Sequence, residues 1–126
     1  MGRRRERTAD AALALVAATQ YAGAGTVEFI LDVATEEFFF LEMNTRIQVE
    51  HPVTEMITGR DLVAMQISLA LGHGERLAQS DIAVNGASVE CRLYAENPAK
   101  KFFPSPGKLT TLRLPPEDGT LRIETA

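Results

Sequence analysis

Two runs rich in β-branched and aromatic side chains, residues 26–32 and 37–43, stand only a few positions apart, and no other feature constrains the fold as tightly. Ala34, Thr35 and Glu36 fall between them, so the runs are predicted to fold back on each other as an antiparallel hairpin. With the turn centred on Thr35, Glu28 and Glu42 are equidistant from it. They become cross-strand partners with Cβ atoms about 4.5–5.5 Å apart. Opposed carboxylates at that distance repel, so the pair calls for an offsetting charge.

A polar alternation continues from the second run. Glu42, Asn44, Arg46, Gln48 and Glu50 occupy every second position, with Met43, Thr45, Ile47 and Val49 between them. An extended backbone places all five polar groups on one face. Simple alternation also puts Ile30, Phe38 and Phe40 on the face of Glu28 and Glu42, at the rim of an apolar sheet. Paired acids are costly there unless they coordinate something. A hard divalent cation such as magnesium takes oxygen ligands, and the carboxylates of Glu28 and Glu42 with the amide oxygen of Asn44 offer several at one spot. Arg46 presents a planar fork suited to a small carboxylate-like anion such as bicarbonate. Glu50, four residues on, could accept the anion's proton. The plainer alternatives are an amphipathic strand with a wet polar face and a surface ion pair between Arg46 and Glu50, which is worth little.

The remaining chain reads as mixed helix and strand. Thr8 is expected to cap a helix running to about Tyr21, with Gly23 ending it. A short helix follows Pro52 to about Thr58, and Asp61 is the expected N-cap of another that runs to Leu71, before Gly72. Leu62, Val63, Met65, Ile67, Leu69 and Leu71 surround that last helix, which predicts that it is largely buried. Residues 72–86 read as a linker with at most one helical turn. Strands are predicted over residues 87–95, 108–114 and 121–124, with a turn-rich stretch at 98–107. Cys91 lies on the first of these and reads as a core thiol. His51 and His73 show no metal-ligand spacing. Gly23-Ala24-Gly25 follows a helix and enters a strand, the reverse of a phosphate loop, so it reads as a helix stop and tight turn.

Composition narrows the partners. The chain has 126 residues, 45% of them apolar, and a net charge of -4, consistent with one globular domain or two small pieces able to bury a core. Its one basic cluster, Arg3, Arg4, Arg5 and Arg7, is read as a solvated N-terminal end, which argues against a nucleic-acid partner. No apolar run reaches the roughly 18 residues of a membrane span, and the alanine-rich residues 11–18 make a feeble signal sequence. The single cysteine fits a reducing compartment, with the cytoplasm as the expected location.

Four motifs then stand in a recognisable order: GAGTVEF at residues 23–29, EMNTRIQVEHPVTEMITG at 42–59, VECRLYAENP at 89–98 and FFPSPGKL at 102–109. From about Ala9 to the C-terminus the chain closely resembles the biotin carboxylases. That family includes the biotin carboxylase components of acetyl-CoA, propionyl-CoA, methylcrotonyl-CoA and pyruvate carboxylases. The resemblance implies an ATP-grasp ligase that uses MgATP to activate bicarbonate as carboxyphosphate and then carboxylates biotin on a carrier. It implies Glu28, Glu42 and Asn44 as ligands of magnesium or manganese near the ATP phosphates. Arg46 resembles the bicarbonate-holding arginine, Glu50 the base that deprotonates bicarbonate, and Gln48 and Val49 further bicarbonate contacts. Arg92 resembles the arginine that stabilises the biotin enolate.

The expected fold class is therefore α+β. Residues 1–76 would form the C-terminal part of an ATP-grasp domain (a helix, an antiparallel hairpin and two helices), and residues 77–126 a linker and the first strands of the biotin carboxylase C-terminal domain. The implied partners are a biotin carboxyl carrier protein or domain, carboxyltransferase subunits and, for the full-length parent, a second copy. The family's glycine-rich lid and phosphate-binding lysine have no counterpart before the hairpin, so the 126-residue chain by itself is expected not to turn over ATP. The basic opening, residues 2–7, also departs from the family, which points to a truncated or misassigned gene start. Another ATP-grasp ligase, or a non-catalytic remnant that packs against partner subunits, are the competing readings; Arg46, Glu50 and the Glu90-Cys91-Arg92 run speak against the former.

Overall fold

The computed structural model describes residues 2–74 and 77–125, and the chain divides into two compact units, Met1–Glu90 and Cys91–Ala126. In the first unit, helix α1 (Gly2–Thr19) leads into strands β1 (Thr26–Leu31) and β2 (Phe38–Asn44), followed by helices α2 (His51–Thr58) and α3 (Leu62–Ala70). Among its described residues the second pairs only the short antiparallel strands β3 (Glu96–Asn97) and β4 (Phe103–Pro104). This mixture of helices and small antiparallel sheets is the α+β class expected from the sequence.

Helix α1 begins earlier than expected. Thr8 is not its cap but an interior residue whose hydroxyl donates back to the carbonyls of Arg4 and Arg5, at 3.2 and 3.0 Å. The arginines and Glu6 are good helix formers, and a threonine satisfied by the preceding turn does not break a helix. The helix also stops before Gly23. Gln20 takes the left-handed conformation at φ 52°, with Tyr21 N–H donating to Val16 and Gln20 N–H to Ala17. That bonding satisfies the last carbonyls of the helix. Arg4 then pairs with Glu36 at the hairpin turn, and the Arg7 guanidinium lies 5.2 Å from the centre of the Phe38 ring. The four arginines are exposed, as a solvated end was expected to be, while Arg4 and Arg7 also reach the hairpin.

The hairpin forms as predicted, within one residue at each strand end. Asp32 builds the turn: its carboxylate accepts from the backbone N–H of Ala34 at 2.8 Å and of Thr35 at 3.4 Å, and Asp32 N–H donates to Glu37. These bonds hold the Asp32 carboxyl below its ordinary range, Ala34 contributing most, then the Thr35 side chain and the Thr35 backbone. Glu28 pairs with Glu42, but the register then shifts: Phe29 faces Phe40, Ile30 faces Phe39 and Leu31 faces Phe38. Leu41 is the extra residue of a β-bulge, and it reverses the alternation on its turn side. Phe38 and Phe40 therefore do not share the face of Glu28 and Glu42, contrary to simple alternation. They pack edge-on against Phe29 at 5.4 and 6.4 Å, while Ile30 and Phe39 take the carboxylate side.

The corner between α2 and α3 is held by capping. Gly59, at φ 66°, ends α2 with its N–H on the carbonyl of Glu55. The Asp61 carboxylate accepts from Ala64 N–H at 2.7 Å, as expected of an N-cap, and the Glu55 carboxylate accepts from Leu62 N–H at 2.5 Å. Of the described residues only Pro52 and Glu55 are buried. The expectation of a packed core and of a buried α3 is therefore overturned: Ile67 and Leu71 are 57% and 67% exposed. A helix apolar on every side needs neighbours on every side, and among the described residues α3 is covered only in part, with Leu62 and Met65 half-buried and Val63, Ile67 and Leu69 exposed.

The strands expected over residues 87–95, 108–114 and 121–124 do not form. A strand exists only by pairing, and these segments find no ladder partner among the described residues. Cys91 is accordingly exposed and not a core thiol. The described part of residues 72–86 carries one short 3-10 turn, Gln79–Asp81, and lies within the first unit; residues 75 and 76, beside the expected boundary at 76/77, lie outside the described residues.

Candidate metal and anion site

The site grows from the open end of the hairpin. Cross-strand pairing sets Glu28 against Glu42, and Asn44 follows two residues along β2 on the same face. The side-chain amide of Asn44 closes the group, donating from Nδ2 to Glu28 Oε1 at 2.9 Å and to Glu42 Oε1 at 3.4 Å. Both carboxylates thus converge on one donor, which is what two like charges facing each other require. Glu28 and Asn44 are half-buried and Glu42 is exposed.

Gly25 sets the height of this arrangement. A Cβ at that position would lie 3.2 Å from the backbone oxygen of Asn44 and 2.8 Å from the tip of Met43, so β2 can approach the start of β1 only because Gly25 has no side chain. The Tyr21 hydroxyl donates to Ala24 at 2.7 Å and fixes the loop that delivers Gly25.

Beyond Asn44 the extended run ends. Arg46 stays beside the group, donating from one terminal nitrogen to Asn44 Oδ1 at 3.4 Å and from the other to the Ile47 carbonyl at 3.2 Å. Gln48 and Val49 then enter a turn, with His51 N–H on the carbonyl of Gln48, and Glu50 becomes the capping residue of α2. The expected single face of five polar groups is therefore broken after Asn44. Pro52 next to the helix start, with φ already set for a helix, is a local reason for the change of backbone. No ion pair joins Arg46 to Glu50 among the described residues, so the plain surface pair is not what this segment forms. Arg92 belongs to the second unit, exposed, with its guanidinium 5.5 Å from the centre of the Tyr94 ring.

The residues fit a hard divalent cation by chemistry and convergence. Two carboxylates and an amide meet at one point, and the position between the acids is taken by a hydrogen-bond donor where a cation would serve as well. The amide would have to turn over to offer its oxygen. No cluster of three or more His, Cys, Asp or Glu suited to a metal occurs among the described residues, so further ligands would come from phosphate oxygens or water. The sequence did not reveal Glu55, whose buried carboxylate ties α2 to α3 just after the site; a glutamate shortly before a glycine stop and an Asp N-cap was the available signal.

The sequence profile of the carbamoyl-phosphate synthase L chain, ATP binding domain, matches residues 2–79. The chain belongs to that family. Biotin carboxylase 1 of Bacillus subtilis is 51% identical over 122 residues, which are 97% of this chain and 27% of that protein. Among solved structures, the biotin carboxylase–β-γ-ATP complex from Campylobacter jejuni aligns with a TM-score of 0.77 and 45% identity, over 88% of this chain and 24% of that one. The biotin carboxylase domain dimer of Hydrogenobacter thermophilus 2-oxoglutarate carboxylase, in complex with MgADP, ADP and bicarbonate, gives 0.73 and 49%, over 82% and 23%. The resemblance to biotin carboxylases is therefore borne out in sequence and in fold, within the family of ATP-binding domains. The chain spans about a quarter of the length of these proteins. No helix among the described residues is long and apolar enough to cross a membrane.

Proposed function

We propose that this chain supplies the metal- and bicarbonate-binding part of a biotin carboxylase, an ATP-dependent ligase that carboxylates biotin on a carrier. In this reading Glu28, Glu42 and Asn44 hold magnesium or manganese, Arg46 grips bicarbonate in two-point contact, and Gln48 and Val49 border the anion. Glu50 takes the proton of bicarbonate, which leaves a nucleophile for the terminal phosphate of ATP. The ion, when bound, would offset charge on the phosphate oxygens. Arg92 stabilises the enolate of biotin, by the general rule that a fixed cation lowers the cost of charge developing on oxygen. Residues 77–126 are the linker and opening of the following domain, a reading supported by the end of the family match at residue 79. The carrier, carboxyltransferase subunits and a second copy of the parent are the partners, in the cytoplasm.

The observation that carries this reading is the convergence of Glu28 and Glu42 on the Asn44 amide. Manganese binding to the full chain, followed by electron paramagnetic resonance, tests it. Altering groups that merely support a ligand already costs about 10–100-fold, so Glu28→Gln and Glu42→Gln should each weaken binding at least about tenfold. Glu37→Gln, beyond the strand at the turn, should leave it unchanged. Equal affinity in all three variants, or no saturable binding by the parent chain, removes the assignment.

A further inference from the structure

The Asn44 amide touches charge on both sides, and its two ends are not interchangeable. Its nitrogen faces two carboxylates and its oxygen faces the Arg46 guanidinium. Chemistry alone dictates this orientation, since the reverse would set an acceptor against two anions and a donor against a cation. A hard cation between Glu28 and Glu42 inverts the requirement, because it needs the amide oxygen. The nitrogen then turns toward Arg46, which loses an acceptor and meets a donor.

We infer that Asn44 is a two-position switch: without a cation it bridges the carboxylates and holds Arg46, and with one it rotates and releases the guanidinium to bind an anion. This rests on the reading of Glu28, Glu42 and Asn44 as an ion site and adds a second role for Asn44, as the residue that positions Arg46. The contact being exchanged, 3.4 Å long, is the one that ties the guanidinium to the amide oxygen. Arg46 would keep its bond to the Ile47 carbonyl, which retains the side chain near the site while freeing its other terminal nitrogen. Linkage makes the effect reciprocal: bicarbonate binding should strengthen ion binding by the same factor.

The test is nuclear magnetic resonance and calorimetry on the full chain, titrated with magnesium. The Asn44 side-chain amide signals should shift as the Glu28 and Glu42 signals saturate, and the Arg46 Nη–H signals should exchange faster with water. Bicarbonate affinity should rise at least about fivefold with magnesium, the low end of ordinary coupling between sites. The Asn44→Ala chain separates the switch from simple attraction by the ion. Lacking the hold on Arg46, it should bind bicarbonate more tightly than the parent when magnesium is absent, and gain less when it is added. Saturation at Glu28 and Glu42 with the Arg46 signals unmoved overturns the switch while leaving the ion site standing. A gain undiminished in Asn44→Ala does the same. Absence of any saturable shift at Glu28 and Glu42 overturns both.

Discussion

Asp32 shows how much one side chain contributes to placing the site. Its carboxylate organises the hairpin turn by accepting from Ala34 and Thr35, and the same bonds depress its ionisation. A group whose folded pKa lies below its unfolded value lends support above the unfolded value and loses it as pH falls through the folded one. The turn should therefore loosen below about pH 4, the midpoint of free aspartate, as pH falls toward the lower folded value. Following the Ala34 amide resonance between neutral and acid pH should reveal a transition displaced below that of free aspartate, and Asp32→Asn should abolish it. Sequence reasoning placed the turn correctly here, because the information is local: strand formers on each side and three turn residues between them. It also paired Glu28 with Glu42, since counting outward from a turn needs no knowledge of distant parts. It could not see the Leu41 bulge, which depends on how β2 settles on Phe29, and so it put Phe38 and Phe40 on the wrong face.

Among elements, the hairpin and the α2–α3 corner were readable for the same reason. Asp61 and Gly59 carry local conformational signals, and the structure uses both. The polar alternation misled after Asn44 because a period of two describes side-chain spacing in a strand, whereas the backbone had already begun the turn into α2. What positions Asn44 is Gly25, in the loop just before the facing strand and three residues before Glu28. Gly25→Ala would press its methyl on the Asn44 carbonyl; the Met43 tip can move aside, but the β2 backbone cannot without shifting the amide. Manganese affinity should fall several-fold in Gly25→Ala, and circular dichroism should remain near that of the parent. Unchanged affinity would mean that the close approach of the two strands does not control the site.

At the scale of the whole molecule, stability is governed by the lack of an apolar core among the described residues, where Pro52 is the one buried apolar side chain. Cooperative unfolding comes from burial shared across a core, and here the hydrogen-bonded hairpin and capped helices are not joined by one. Between α1 and the hairpin lies a cleft of about 250 Å³ bordered by Leu13, Val16, Val27 and Met43. Urea should therefore unfold the chain over a broad range, with the helix signal and the packing around the Phe29 ring disappearing at different concentrations. Coincident, steep transitions would contradict this. Composition gave no warning, because 45% apolar residues suffice for a core and do not state whether one closes. Helix α3 shows the result in small. Glu55 and Asp61 grip it at its first turn while its flanks stay bare, like a rod clamped in a vice at one end. Polar replacements along Val63, Ile67 or Leu71 would thus leave its start in place, and the two acids at its base decide whether the helix exists at all.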